Sequence, residues 1–157
     1  DALAPLHKLG RRDRFLLECA ALLHDIGWTG GRAGHGRRGA ARVLGDGSLP
    51  FDLCERGIVV LAIACHRGEK NPAGDPLFSL LSEDCRKRAI ILAAILRAAD
   101  GLDYLHTASV QEVHAVIGSD AVVLDIRPAD GCNAEKARAQ AKASLFTEAF
   151  GLPLVIR

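Results

Sequence analysis

The stretch Leu16-Leu17-Glu18-Cys19-Ala20-Ala21-Leu22-Leu23-His24-Asp25-Ile26-Gly27 joins a helical apolar repeat to a His-Asp pair. Leu16, Leu17, Ala20, Ala21, Leu23 and His24 recur at helical spacing, Asp13 reads as the N-cap and Gly27 as the stop. One helix therefore delivers His24 and Asp25 at its end. Residues 29–36 hold four glycines and read as a loop, and residues 37–44 as a short helix closed by Gly45, with His35 at the junction. Asp52-Leu53-Cys54-Glu55 has capping-box spacing and opens an apolar helix that runs to His66. A Gly/Pro loop follows over 68–76. Ser82 then caps the longest periodic segment, with Ile90, Ile91, Leu92, Ala94, Ile95, Ala98 and Ala99 on it and Asp100 near its end.

Past His106 the texture changes. Residues 110–117 and 121–127 are rich in β-branched side chains and flank Gly118-Ser119-Asp120, which predicts a hairpin. Residues 133–150 read as one helix stopped by Gly151, and 154–156 as a last strand. The expected fold class is mainly α, a helical bundle over 1–107 followed by a small α+β tail over 108–157.

Neutral imidazole and carboxylate are ligands that a hard or borderline divalent ion accepts without thiolate, and helix ends can aim them into one cavity. His24, Asp25, His35, His66 and Asp100 are the candidates. Taken singly, each has a structural role open to it: His24 can close a helix on a carbonyl, His35 can cap the next, and His66 can meet a helix dipole. Their order and flanking residues single them out.

The 16–27 stretch resembles the signature helix of HD-domain phosphohydrolases. His35-Gly36-Arg37-Arg38-Gly39-Ala40-Ala41-Arg42-Val43-Leu44 looks like the family's second-histidine helix, His66-Arg67-Gly68 its third-histidine turn, and Ile95-Leu96-Arg97-Ala98-Ala99-Asp100-Gly101-Leu102-Asp103 its closing Asp helix. Within the superfamily, residues 99–106 and the tail are most similar to the C-terminal HD part of exopolyphosphatase and guanosine pentaphosphate phosphohydrolase proteins. The phosphatase site of those proteins lies in a preceding actin-like domain, which this sequence lacks, so that activity does not transfer. The resemblance also implies a first histidine on an earlier helix. His7 is the only upstream candidate and stands seventeen residues before His24, too near for a full extra helix, so that ligand is expected to precede Asp1. The absence of methionine likewise suggests a fragment or processed chain.

The resemblance implies one or two divalent ions (Mn, Fe, Ni, Mg or Zn), with Asp25 bridging, His24 and Asp100 on one ion, and His35 and His66 on the other. Asp25 would act in catalysis, and Asp103, one turn past Asp100, would orient a ligand or take a proton, unless it is a solvated surface carboxylate. Such an ion pair suits attack of an activated water on a phosphate ester. Arg37, Arg38, Arg67 and Lys70 flank the histidines and could bind substrate phosphate or serve as solubilising charges. Arg11, Arg12 and the run Arg86-Lys87-Arg88 read as solvated faces.

A formal charge of +1, from 20 Lys and Arg against 19 Asp and Glu, gives no global field toward nucleic acid or an anionic membrane, and Trp28 and Tyr104 are the only Trp and Tyr. No apolar run approaches the roughly 20 residues needed to cross a bilayer, and Asp1-Ala2-Leu3 opens no secretory signal. Five cysteines without a C-x-x-C pair suggest reduced thiols and a cytoplasmic protein. The expected partner is a small phosphorylated ligand or polyphosphate, with no nucleic acid or membrane, and with dimer contacts through the tail as the one protein partnership considered. Two functions compete: a metal-dependent phosphohydrolase acting on a nucleotide, alarmone or other small phosphate ester, and a non-catalytic regulatory module binding polyphosphate or guanosine polyphosphate. A purely structural helical domain is the third reading, disfavoured by five ligand-type residues.

Overall fold

The computed structural model describes residues 1–68 and 71–157, which fold mainly as α-helices with one small three-stranded sheet. They form two compact units, one of residues 9–96 and one of residues 1–8 with 97–157. This division falls inside a helix.

In the first unit, α2 (Arg11–Leu23) starts one turn earlier than its apolar repeat suggests. Gly10 is the N-cap, and Asp13 sits three positions on, where its carboxylate accepts the Gly10 N–H at 3.2 Å. α3 (His35–Gly45) and α4 (Leu53–Cys65) follow, and the expected capping box is present: Asp52 accepts the Glu55 N–H at 2.8 Å and Glu55 accepts the Asp52 N–H at 3.1 Å. α4 is buried from Gly57 to Cys65 because it packs against both α2 and α3, so its sequence is apolar on every face.

The loop expected over 68–76 contains a 3₁₀ turn, Pro72–Gly74, and leads into α5 (Pro76–Leu80). Asn71 and Asp75 accept the N–H groups that each short turn leaves open, and proline supplies the first helical φ. α6 (Glu83–Leu102) begins after Ser82, whose Oγ accepts the Cys85 N–H, and buries Ala89, Leu92, Ala93 and Leu96 along one stripe.

Several charges expected to be solvated tie this unit together. Arg12 donates to Glu55 at 2.6 and 2.7 Å, Arg88 to Asp13 at 2.6 Å, and Arg86 to the Phe78 and Ser79 carbonyls. The Arg12 guanidinium holds the Glu55 carboxyl down at about 2. Cys54 and Cys85 form a disulfide between the starts of α4 and α6, a correction to the expectation of five reduced thiols; Cys19, Cys65 and Cys132 are in no disulfide. Adjacent helix starts bring the two sulfurs together, a proximity that no linear spacing reveals.

In the second unit, β1 (Glu112–Ile117) and β2 (Val122–Arg127) form the expected antiparallel hairpin, and β3 (Leu154–Ile156) pairs with β2 in parallel, giving the order β1-β2-β3. Val122, Leu124 and Ile126 alternate into a core with Leu145, Phe146 and Leu154. The single helix expected over 133–150 is two, α7 (Asn133–Ala141) and α8 (Ser144–Phe150). The break comes at Lys142, where the chain tightens and the Lys142 and Ala143 N–H groups reach back three residues. α1 (Ala4–His7) belongs to this unit, and the His7 ring lies 6.4 Å from that of Phe150. Among the described residues no helix is long and apolar enough to cross a membrane.

Candidate metal centre

His24 is the C-cap of α2, and Asp25 opens a 3₁₀ turn, Ile26–Gly30, in which Trp28 N–H donates to the Asp25 carbonyl at 3.0 Å. Gly27, expected as a helix stop, does something else. A Cβ there would overlap the His35 carbonyl oxygen and come within 2.6 Å of the Gly39 nitrogen, so this glycine lets the turn lie directly on α3. Gly36 plays the same part toward α4, with the Ile63 carbonyl 3.1 Å and the His66 ring 3.2 Å from the place of its missing Cβ. Gly27, read in the sequence as a helix stop, and Gly36, read as part of the 29–36 loop, are what let the Asp25 turn, α3 and α4 close around His35 and His66.

Three histidines orient themselves in one way. His24 Nδ1 lies 2.6 Å from the Ala21 carbonyl, His35 Nδ1 2.7 Å from that of Arg32, and His66 Nδ1 2.6 Å from that of Ile63. A carbonyl only accepts, so each Nδ1 carries a proton and each ring turns its Nε2 atom the other way. Those Nε2 atoms converge on Asp25. His35 Nε2 is 3.1 Å and His66 Nε2 3.8 Å from Asp25 Oδ1, His24 Nε2 is 3.3 Å from Oδ2, and the Nε2 atoms of His35 and His66 stand 3.0 Å apart.

Burial pushes His66 down to about 3, so this imidazole stays neutral at ordinary pH and turns the lone pair of Nε2 toward Asp25. His35 is 2% and His66 0% exposed, and Asp25 Oδ1 is buried without a hydrogen bond. Asp25, His35 and His66 each offer one atom within 4.8 Å of the others. Two imidazoles fixed by backbone carbonyls around an orphaned carboxylate oxygen fit a divalent cation.

The other expected residues fall variously. Asp100, near the end of α6 in the second unit, is buried and forms an ion pair with Lys142, at the α7 C-cap and equally buried. Asp103 is exposed, its carboxylate 3.4 Å from His106 Nδ1, which is the arrangement of a solvated surface carboxylate. Arg37 is exposed on α3 and lines a cleft of about 160 Å³ with Cys65, Asn71 and Asp75. Arg38 instead donates to the carbonyls of Gly27, Gly31 and Ala33, and Arg42 to the Ile26 carbonyl and Thr29, so both shape the loop that carries Asp25. The Arg67 guanidinium stands 6.0 Å from the Trp28 ring centre. Lys70 lies outside the described residues. Sequence reasoning passed over Trp28 and Lys142. Trp28 could have been found as the lone tryptophan three residues past Asp25, whereas Lys142, 42 residues from Asp100, carried no local signal.

The profile of the HD domain family matches residues 2–105. The chain belongs to the HD-domain family, a superfamily of metal-dependent phosphohydrolases whose members bind divalent metals. Compared with curated proteins, the chain matches none.

Proposed function

We propose that this HD domain hydrolyses a small phosphate ester such as a nucleotide or alarmone, with His24, Asp25, His35 and His66 as the metal-binding set and Asp100 added by the family motif. The observation that carries the reading is the convergence of two imidazole Nε2 atoms on the buried, unbonded Oδ1 of Asp25. A divalent ion, when bound, supplies Lewis-acid polarisation of a phosphoryl oxygen and acidifies water. The chain's own residues do the rest. The Nδ1 bonds to carbonyls hold the rings without rotation, Arg38 and Arg42 brace the loop behind Asp25, and Arg37 and Arg67 offer guanidinium donors to phosphate oxygens.

One observation favours the second reading, a regulatory receptor for polyphosphate or guanosine polyphosphate of the exopolyphosphatase-associated kind. Asp100 already has the Lys142 ammonium beside it, and a carboxylate so neutralised is a weaker metal ligand. Elemental analysis of protein purified without chelator, followed by hydrolysis assays on nucleotides and model phosphate esters, separates the two. Stoichiometric metal lost in Asp25→Ala and His24→Ala, with turnover, supports the hydrolase. Metal or phosphate binding without turnover supports the receptor, and absence of metal from the intact protein sinks the hydrolase.

A further inference from the structure

The Cys54–Cys85 disulfide joins two helix starts: Cys54 is the second residue of α4 and Cys85 the third of α6. Both stand in a first helical turn, where N–H groups without an intrahelical partner favour negative charge. The acids of the α6 turn, Glu83 and Asp84, have cations of their own in Lys87 and Arg88. Two side-chain donors meet the sulfurs. Ser82 Oγ donates to Cys85 Sγ at 3.0 Å, and Arg88 Nη1, on a guanidinium shared with Asp13, donates to Cys54 Sγ at 3.7 Å. A disulfide sulfur is a weak acceptor and a thiolate a strong one, so these groups stabilise the reduced pair more than the bond. Cys54 is half-buried and Cys85 buried. The sulfur open to attack is therefore that of Cys54, and the one that leaves has the Ser82 hydroxyl beside it.

The crosslink closes residues 54–85, a span that carries His66 and the cleft residues Asn71 and Asp75. Between the disulfide and His66 α4 runs roughly 18 Å, and α5 leads the chain back to α6. We propose that Cys54–Cys85 is a thiol–disulfide exchange site whose oxidised form holds the His66 segment in the geometry that binds metal. The exchange stands on the surroundings of the two sulfurs; its effect on metal rests on the metal-site reading above. The thiolate of a small thiol such as glutathione attacks Cys54 Sγ, the S–S bond breaks, and Cys85 leaves as a thiolate that takes a proton. A second thiol then displaces Cys54 from the mixed disulfide. Two small thiols become one small disulfide, and two electrons and two protons pass to the protein.

The test uses the full chain, oxidised and folded, with glutathione as reductant and Mn²⁺ as metal. Alkylation and peptide mass spectrometry count the thiols, and calorimetry after removal of glutathione measures Mn²⁺ affinity. The expected result is reduction of Cys54 and Cys85 by about 10 mM glutathione without denaturant, conditions that a structural disulfide withstands. Ser82→Asp, which keeps the α6 cap but replaces the donor with a carboxylate, slows that reduction about tenfold. Reduction lowers Mn²⁺ affinity about tenfold, oxidised glutathione restores it, and the Cys54→Ser/Cys85→Ser variant matches the reduced form. A disulfide left intact by glutathione in the folded protein overturns the proposal. Reduction with unchanged Mn²⁺ affinity overturns its effect on the site. Failure of both forms to bind Mn²⁺ overturns the metal-site reading and that effect with it, while the thiol count still decides the exchange.

Discussion

Two buried polar clusters, one in each unit, solve the same problem in opposite ways. In the 97–157 unit the Asp100 carboxylate is out of water and the chain supplies its cation, the Lys142 ammonium. In the 9–96 unit the Asp25 Oδ1 atom is also out of water, but its neighbours are the imidazole Nε2 atoms of His35 and His66. In the first cluster an ammonium is already beside the carboxylate. The second is arranged for a charge that must come from outside.

Breaking the first cluster has the largest expected effect. Lys142→Met leaves Asp100 buried without its ammonium and lowers stability by about 3–5 kcal/mol in urea denaturation, and Lys142→Met with Asp100→Leu recovers most of the loss. An unchanged midpoint in the single variant would mean that Asp100 finds its cation elsewhere. Next comes the frame of the open cluster: Gly27→Ala forces the 3₁₀ turn off α3 and costs about 3 kcal/mol, measured in the same way.

The open cluster itself responds to added metal. At a hundred times its dissociation constant a divalent ion stabilises the protein by about 2.7 kcal/mol, seen as a rise in melting temperature, and His66→Ala removes that rise. The effect smallest per unit change of condition is set by pH. His66 is held neutral in the folded protein down to about 3, while in the unfolded chain it takes a proton near 6.5. Its contribution is therefore complete above 6.5 and is lost as the solution is acidified toward 3, at no more than about 1.4 kcal/mol per pH unit. Metal-free protein should show a shallower acid slope once His66→Leu is introduced, and an unaltered slope would show that another group is responsible.

Local patterns were legible wherever a residue's role depends on its near neighbours. The capping box at Asp52 and Glu55, the hairpin around Gly118, and the placing of His24 and His66 at helix ends all follow from spacing within a few positions. Gly27 shows the limit: next to a helical repeat it reads as a stop, because its real partner, the α3 backbone, is brought there only by folding. The break at Lys142 was hidden for a similar reason, since Ala139, Gln140 and Ala141 before it and Ala143 and Leu145 after it are good helix formers and nothing local marks the turn.

The sequence by itself determined the helical character of residues 1–107, the α+β tail, the membership of the HD family and the identities of the ligand-type side chains, because periodicity, caps and motif order are written locally. Only the tertiary structure decided which of those side chains face one another, that Arg38 braces a loop, that Cys54 and Cys85 are joined, and that Asp100 meets Lys142. Those outcomes depend on distances between residues far apart in the chain, which close packing sets and linear order does not.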